Sequence, residues 1–201
     1  MTRRTDAARY VMMEFERPLM EKSAEMLCRG GGHILNVGFG CGIIDTAIQR
    51  HRVASHTIVE GHPAVYRRMI QAGWARKRNV RIIHERWENV DWWNYAGRFD
   101  GVYFDPFPLD AVPYEQVLWR ECLIKVLKPD TGVFVLYGPT LNRSKVRREA
   151  ARFRKRAVLD SVDSCVVDVA FPTPEWQELG VGRHRVEVFS LRIPSRRWNQ
   201  R

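Results

Sequence analysis

The chain has 201 residues, 45% of them hydrophobic and 11% aromatic, which suffices for one domain with a real core and excludes wholesale disorder. Lys+Arg 33 against Asp+Glu 23 gives a net charge of +10, and no run of about 18 apolar residues is present, which excludes a membrane-spanning helix. The polar start MTRRTDAARY lacks the apolar stretch of a secretory signal, and Cys28, Cys41, Cys122 and Cys165 show no C-x-x-C spacing, so buried thiols in a reducing cytoplasm are expected.

Elements follow in a regular alternation. Residues 6–28 read as a helical segment interrupted at Pro18. His33 to Val37 is a short apolar run ended by Gly38, a buried strand, and a helix follows from Ile43 to Gln49. A strand over His56 to Glu60 leads to a helix over Pro63 to Ala75, with Pro63 in the first turn. Val80 to His84 and Phe99 to Phe104 are further strands; Tyr114 to Leu127 reads as a helix, Val133 to Tyr137 as the fifth strand, and Ser144 to Ala157 as a basic helix. Ser161 to Phe171 and Arg183 to Ile193 alternate, the mark of a closing antiparallel pair. Strand–helix alternation of this kind predicts an α/β domain with a mostly parallel twisted sheet covered by helices on both faces. Residues 1–30 are expected to form a helical lid segment and 31–201 the single domain beneath it.

The charge is uneven: residues 141–201 carry 14 basic and 7 acidic side chains, residues 1–140 carry 19 and 16. The densest cluster lies in 143–156 (Arg143, Lys145, Arg147, Arg148, Arg152, Arg154, Lys155, Arg156). Its stronger reading is the solvated face of one helix, its weaker one a surface for nucleic acid or an acidic partner.

The first strand runs into Gly38-Phe39-Gly40-Cys41-Gly42 and then a helix. Glycines at that place permit a tight turn and close approach of the backbone to a ligand at the carboxyl edge of the sheet. Glu60 ends the second strand, where an ionised carboxylate, having only acceptors, can receive both hydroxyls of a ribose. A dinucleotide fingerprint wants G-x-G-x-x-G, whose third glycine would stand at Ile43; G-x-G-x-G is instead common in enzymes that use S-adenosyl-L-methionine. Trp87-Glu88 follows the third strand where an adenine is expected, an indole to stack and a carboxylate to accept from its amino group, though a Trp covering the sheet edge is an equal reading. Asp105-Pro-Phe-Pro-Leu109, at the tip of the fourth strand, resembles the Asp/Asn-Pro-Pro-aromatic loop of methyltransferases acting on nitrogen. Scattered histidines give no metal-ligand spacing, so no metal is expected.

Several segments in order resemble guanidinoacetate N-methyltransferase and its arginine-methylating relatives. They are Val11 to Met20, with Glu16, Pro18 and Met20 in fixed spacing, then Asn36 to Gly40, Ile58 to Glu60, Trp87-Glu88, and Phe99 through Asp105 to Leu109. Leu127 to Val133 continues the match. The resemblance implies a Rossmann-like class I methyltransferase fold. It places Met12, Met20, Gly38, Phe39, Gly40, Gly42, Glu60, Trp87 and Glu88 around S-adenosyl-L-methionine, and Glu16 and Asp105 on the guanidinium of the acceptor. The family holds the acceptor's carboxylate on successive backbone N–H groups after the fifth strand. Here those positions are Pro139, which has no N–H, and Thr140, so guanidinoacetate itself fits less well than arginine or a derivative. The expectation is therefore a cytoplasmic guanidino N-methyltransferase acting on a small molecule away from membranes, with a homodimer as one option and the oligomeric state left open. The alternative is methylation of arginine in a protein, or of nucleic acid through residues 143–156.

Overall fold

The computed structural model describes residues 13–105, 125–137, 141, 143–152, 158–173 and 176–194. Within them seven strands form one sheet: β1 (His33–Val37), β2 (Ser55–Val59), β3 (Val80–Ile83), β4 (Gly101–Phe104), β5 (Val133–Tyr137), β6 (Val158–Val169) and β7 (Gly182–Arg192). The order across the sheet is β3-β2-β1-β4-β5-β7-β6. The first five strands are parallel, and β7 enters antiparallel between β5 and β6. Four α-helices are described: α1 (Arg17–Leu27), α2 (Ile43–Gln49), α3 (Pro63–Gln71) and α4 (Arg143–Arg152). None is long and apolar enough to cross a membrane.

The strands sort their side chains by parity, as a pleat requires of a sheet covered on both faces. Leu35, Val37, Val102, Phe104, Phe134 and Leu136 enter one core cluster. Ile34, Tyr103, Val135 and Tyr137 enter the other, together with Leu19, Met20 and Leu27 of α1 and Ile44 and Ile48 of α2. Chain order reverses between β1 and β4, so the crevice outside their carboxyl ends is where such sheets take ligands.

Local physics adjusts the expected boundaries. Pro18 does not interrupt a helix: it occupies the first turn of α1, directly after a 3₁₀ turn over Glu14–Glu16. The helix expected to reach Ala75 stops at Gln71, because Gly73 turns to φ 82° and a separate 3₁₀ turn follows at Trp74–Arg76. The fourth strand begins at Gly101 rather than Phe99. Asp100 spends its carboxylate on the His33 N–H at 2.7 Å and on Lys128 Nζ at 2.8 Å, and Phe99 makes one isolated bridge to Leu127. Cys28 is buried, and burial pushes its thiol up to about 12. Cys41, expected to be buried, is exposed on the glycine turn, where the backbone folds away from the core. Of the helix expected over Tyr114 to Leu127, all but the last three residues lie outside the described residues, as do residues 153–157 of the basic segment.

Candidate functional site

The glycine turn leaves β1 by a path only glycine follows easily. Gly38, Gly40 and Gly42 have φ of 95°, 54° and 72°. Gly38 N–H still bonds Val59 O at 2.8 Å, extending the β1–β2 ladder by one rung before the chain turns. A Cβ at Gly42 would stand 2.6 Å from Phe39 Cζ, so the turn has no room for a side chain there. Two side chains brace it: Asn36 Nδ2 donates to Gly38 O at 2.9 Å and Arg68 of α3 donates to Gly40 O at 3.0 Å. Beneath it, Asn36 Nδ2 also donates to Asp45 Oδ1 at 2.8 Å, and His56 Nε2 stands 3.1 Å from the same oxygen without the angle of a hydrogen bond.

Glu60 is buried beside this turn. Its Oε2 accepts from Phe39 N–H at 2.9 Å and its Oε1 from His62 N–H at 2.6 Å. Each carboxylate oxygen keeps a second lone-pair direction for a further donor, so a ribose diol and the backbone can share this group. Phe39 contributes its backbone; its ring packs edge-on against Trp74 at 5.3 Å, in the small core cluster below the turn. Trp87 is half-buried, its ring edge-on to Phe104 at 5.0 Å and its carbonyl accepting from Trp92 Nε1 at 2.9 Å. Glu88 is exposed and paired with Arg86 at 3.1 Å. Met20 is fully buried, its sulfur accepting the Tyr103 hydroxyl at 3.5 Å. Met12 and Thr140 lie outside the described residues.

The two carboxylates expected to meet the acceptor come together by a route the sheet makes explicit. Asp105 N–H bonds Val37 O at 3.0 Å, so Asp105 sits at the tip of β4, next to the start of the glycine turn. The β4–β5 register pairs Tyr103 with Val135; carried two residues on, it puts Asp105 level with Tyr137. Tyr137, last in β5, donates its hydroxyl to Glu16 Oε1 at 2.9 Å. Glu16 Oε2 accepts from Met13 N–H at 2.7 Å, closing the turn that precedes α1, and the residue is only 6% exposed.

Electrostatics agree with that placement. Burial raises Glu16 above the ordinary carboxylate range, opposed by the donors Met13, Tyr137 and Trp176. Asp105 is pushed up to about 7, first by burial and second by the negative charge of Glu16. No cation among the described residues relieves either group.

Tyr137, Trp176, Asn36 and Arg68 carry this geometry and were missed from the sequence. Tyr137 ends an apolar strand and reads there as one more core residue. Trp176 lies in the β6–β7 connection, 1% exposed and edge-on to Phe15 at 5.4 Å. Only the fold reveals where their polar atoms go. The basic helix α4 anchors through buried Val146 and leaves Arg147 and Arg148 exposed, with Arg143 reaching Glu187 at 3.4 Å.

Sheet order, glycine turn and the acidic residue closing β2 define the class I methyltransferase fold, a Rossmann-like arrangement with a mostly parallel sheet between helices. A putative RNA methyltransferase from Pyrococcus horikoshii superposes with a TM-score of 0.61 over 96% of this chain and 99% of its own, at 14% identity, a likeness of fold. The model of the guanidinoacetate N-methyltransferase family matches residues 5–137, and the chain belongs to that family. Among curated relatives, protein arginine N-methyltransferase 2 of Aspergillus oryzae is 41% identical over 191 residues, 92% of this chain and 45% of that protein. Its namesake in Saccharomyces cerevisiae is 36% identical over 138 residues, 64% of this chain and 32% of that protein. The chain spans less than half the length of these relatives.

Proposed function

We propose that this chain is an S-adenosyl-L-methionine-dependent N-methyltransferase that acts on a guanidino nitrogen of arginine carried in a protein. One observation supports it above the rest: Glu16 and Asp105, 89 positions apart in sequence, lie near enough at the carboxyl edge of the sheet for the charge of one to raise the pKa of the other. Two carboxylates that repel each other, with no cation among the described residues to relieve them, are matched by a ligand that brings one. A guanidinium is planar, permanently cationic and edged with paired donors that fit carboxylate oxygens. The expectation of a small-molecule acceptor gives way to the protein reading on the names of the relatives, protein arginine N-methyltransferase 2 in each case.

The residues also fit the cofactor. The glycine turn admits no side chain at Gly42, and Glu60 keeps a free lone-pair direction on each oxygen for the ribose hydroxyls. Trp87, packed against Phe104, is the residue we assign to the base side. Bound there, the cofactor supplies a methyl group made electrophilic by its positively charged sulfur. Glu16 and Asp105 would draw the guanidinium charge onto the nitrogens they bond, leaving the third nitrogen free to form its N–C bond as the methyl's bond to sulfur breaks and its electron pair returns to the departing thioether. Its proton leaves as that bond forms, and Asp105, poised near neutrality, is placed to take it. Positioning of this kind lowers barriers by about several kcal/mol.

The test is transfer of labelled methyl to a panel of arginine-bearing proteins and peptides, free arginine and guanidinoacetate. Preferred labelling of polypeptide arginine is expected. Guanidinoacetate or free arginine as the clearly preferred acceptor would contradict the proposal.

A further inference from the structure

The proposed reading assigns Glu16 a task but not the means of holding it to that task. A glutamate has three side-chain torsions, and a buried carboxylate that rotates or protonates is no use to a cation. Glu16 accepts two hydrogen bonds, and a third side chain packs beside the donor at the tip of β5. Its own turn supplies the Met13 N–H at 2.7 Å. The tip of β5 supplies the Tyr137 hydroxyl at 2.9 Å, across 121 positions of sequence. The β6–β7 connection supplies Trp176, whose indole N–H is buried without a hydrogen-bond partner of standard geometry.

Aromatic packing holds both of those donors still. Trp176 packs edge-on to Phe15 at 5.4 Å and lies 6.4 Å from the Tyr137 ring, centroid to centroid. Phe15 also meets Phe171 at 6.5 Å. A buried tyrosine needs some acceptor, and so does a buried indole. The Tyr137 hydroxyl is spent on Glu16, the carboxylate whose charge bears on Asp105, and the Trp176 ring lies against that of Tyr137. Trp176 also lies beyond residue 137, where the family match ends.

We infer that Tyr137 is a positioning residue that fixes the acceptor-binding carboxylate of Glu16 and keeps it ionised, with Trp176 of the β6–β7 connection, outside the family match, packed behind it. The inference rests on the proposed function for its kinetic consequence, but not for its structural one. Both donors favour the charged form of Glu16, so removing either raises its pKa.

The test compares Tyr137→Phe and Trp176→Phe, which keep the rings and delete the donors. In Tyr137→Phe, kcat/KM for an arginine peptide is expected to fall about ten- to a hundredfold, the weight of a hydrogen bond to a charged group. KM for S-adenosyl-L-methionine is expected to stay within about twofold, and the acid limb of the pH profile to move to higher pH. Trp176→Phe is expected to shift the profile the same way by less, and serves alone should Tyr137→Phe not fold. Adding Glu16→Gln should abolish the shift. A fall in kcat/KM with an unmoved acid limb, or an equal loss of cofactor affinity, would overturn the inference in favour of a merely structural role. If wild-type protein methylates no arginine acceptor, the functional reading fails, and the carboxyl-carbon NMR titration of Glu16 decides the inference by itself. An upward shift in Tyr137→Phe supports it, and an unchanged titration defeats it.

Discussion

Asp105 shows most plainly how one residue trades stability for chemistry. A carboxylate held at about 7 in the folded chain and near 4 in the unfolded one is protonated more readily when folded. The folded state therefore binds more protons between those values, and stability falls as pH rises through that window. Asp105→Asn removes the penalty. It is expected to be more stable than wild type at pH 8, by on the order of a few kcal/mol and with a higher thermal midpoint, and to match it near pH 4. A calorimetric series over that range checks the sign; a midpoint lowered at pH 8 would show the carboxylate to be stabilising instead. Gly42 is the opposite case, a residue needed for its lack of a side chain. Gly42→Ala adds a Cβ at φ 72° against a buried aromatic ring and is expected to cost about 1–3 kcal/mol in urea unfolding.

Between elements, the glycine turn depends on neighbours that do not belong to it. Arg68 reaches from α3 to Gly40 O, and Asn36 holds Gly38 O from within β1. Arg68→Ala deletes one such brace at half-buried geometry. It is expected to weaken S-adenosyl-L-methionine binding about fivefold in calorimetry while leaving acceptor KM unchanged, since one hydrogen bond nets roughly 1 kcal/mol. Elements were also what the sequence disclosed best. The bounds of β1, α2 and β5 follow from apolar runs stopped by glycine or by an exposed turn, signals carried within a few residues. Less visible was where Phe99 and Asp100 leave the sheet, because Asp100 is diverted by His33 and Lys128, contacts set by the fold rather than by local pattern. Pro18 was misjudged for a related reason: proline stops a helix from within and starts one from its first turn, and only the position of Glu16 ahead of it tells the two apart.

For the molecule as a whole, the parallel sheet and its reversal point were legible because strand–helix alternation leaves few topologies. Glu16 and Asp105 were paired only through the family resemblance; the phenol at the end of β5 and the β4–β5 register behind that pairing were not legible. Glu60 was legible as an acid at the end of a strand, yet its two backbone bonds were not, and they make it a clasp on the glycine turn as well as a candidate ribose ligand.

The most direct measurement is methyl transfer to an arginine-bearing protein by Glu16→Gln and Asp105→Asn, with S-adenosyl-L-methionine affinity measured alongside. Each substitution keeps the shape and removes the charge. Turnover is expected to fall about a hundredfold or more in both, the scale of losing a buried charged contact to a cation, with cofactor affinity within about threefold of wild type. Turnover that survives neutralisation of either carboxylate would contradict the claim that the pair grips the guanidinium.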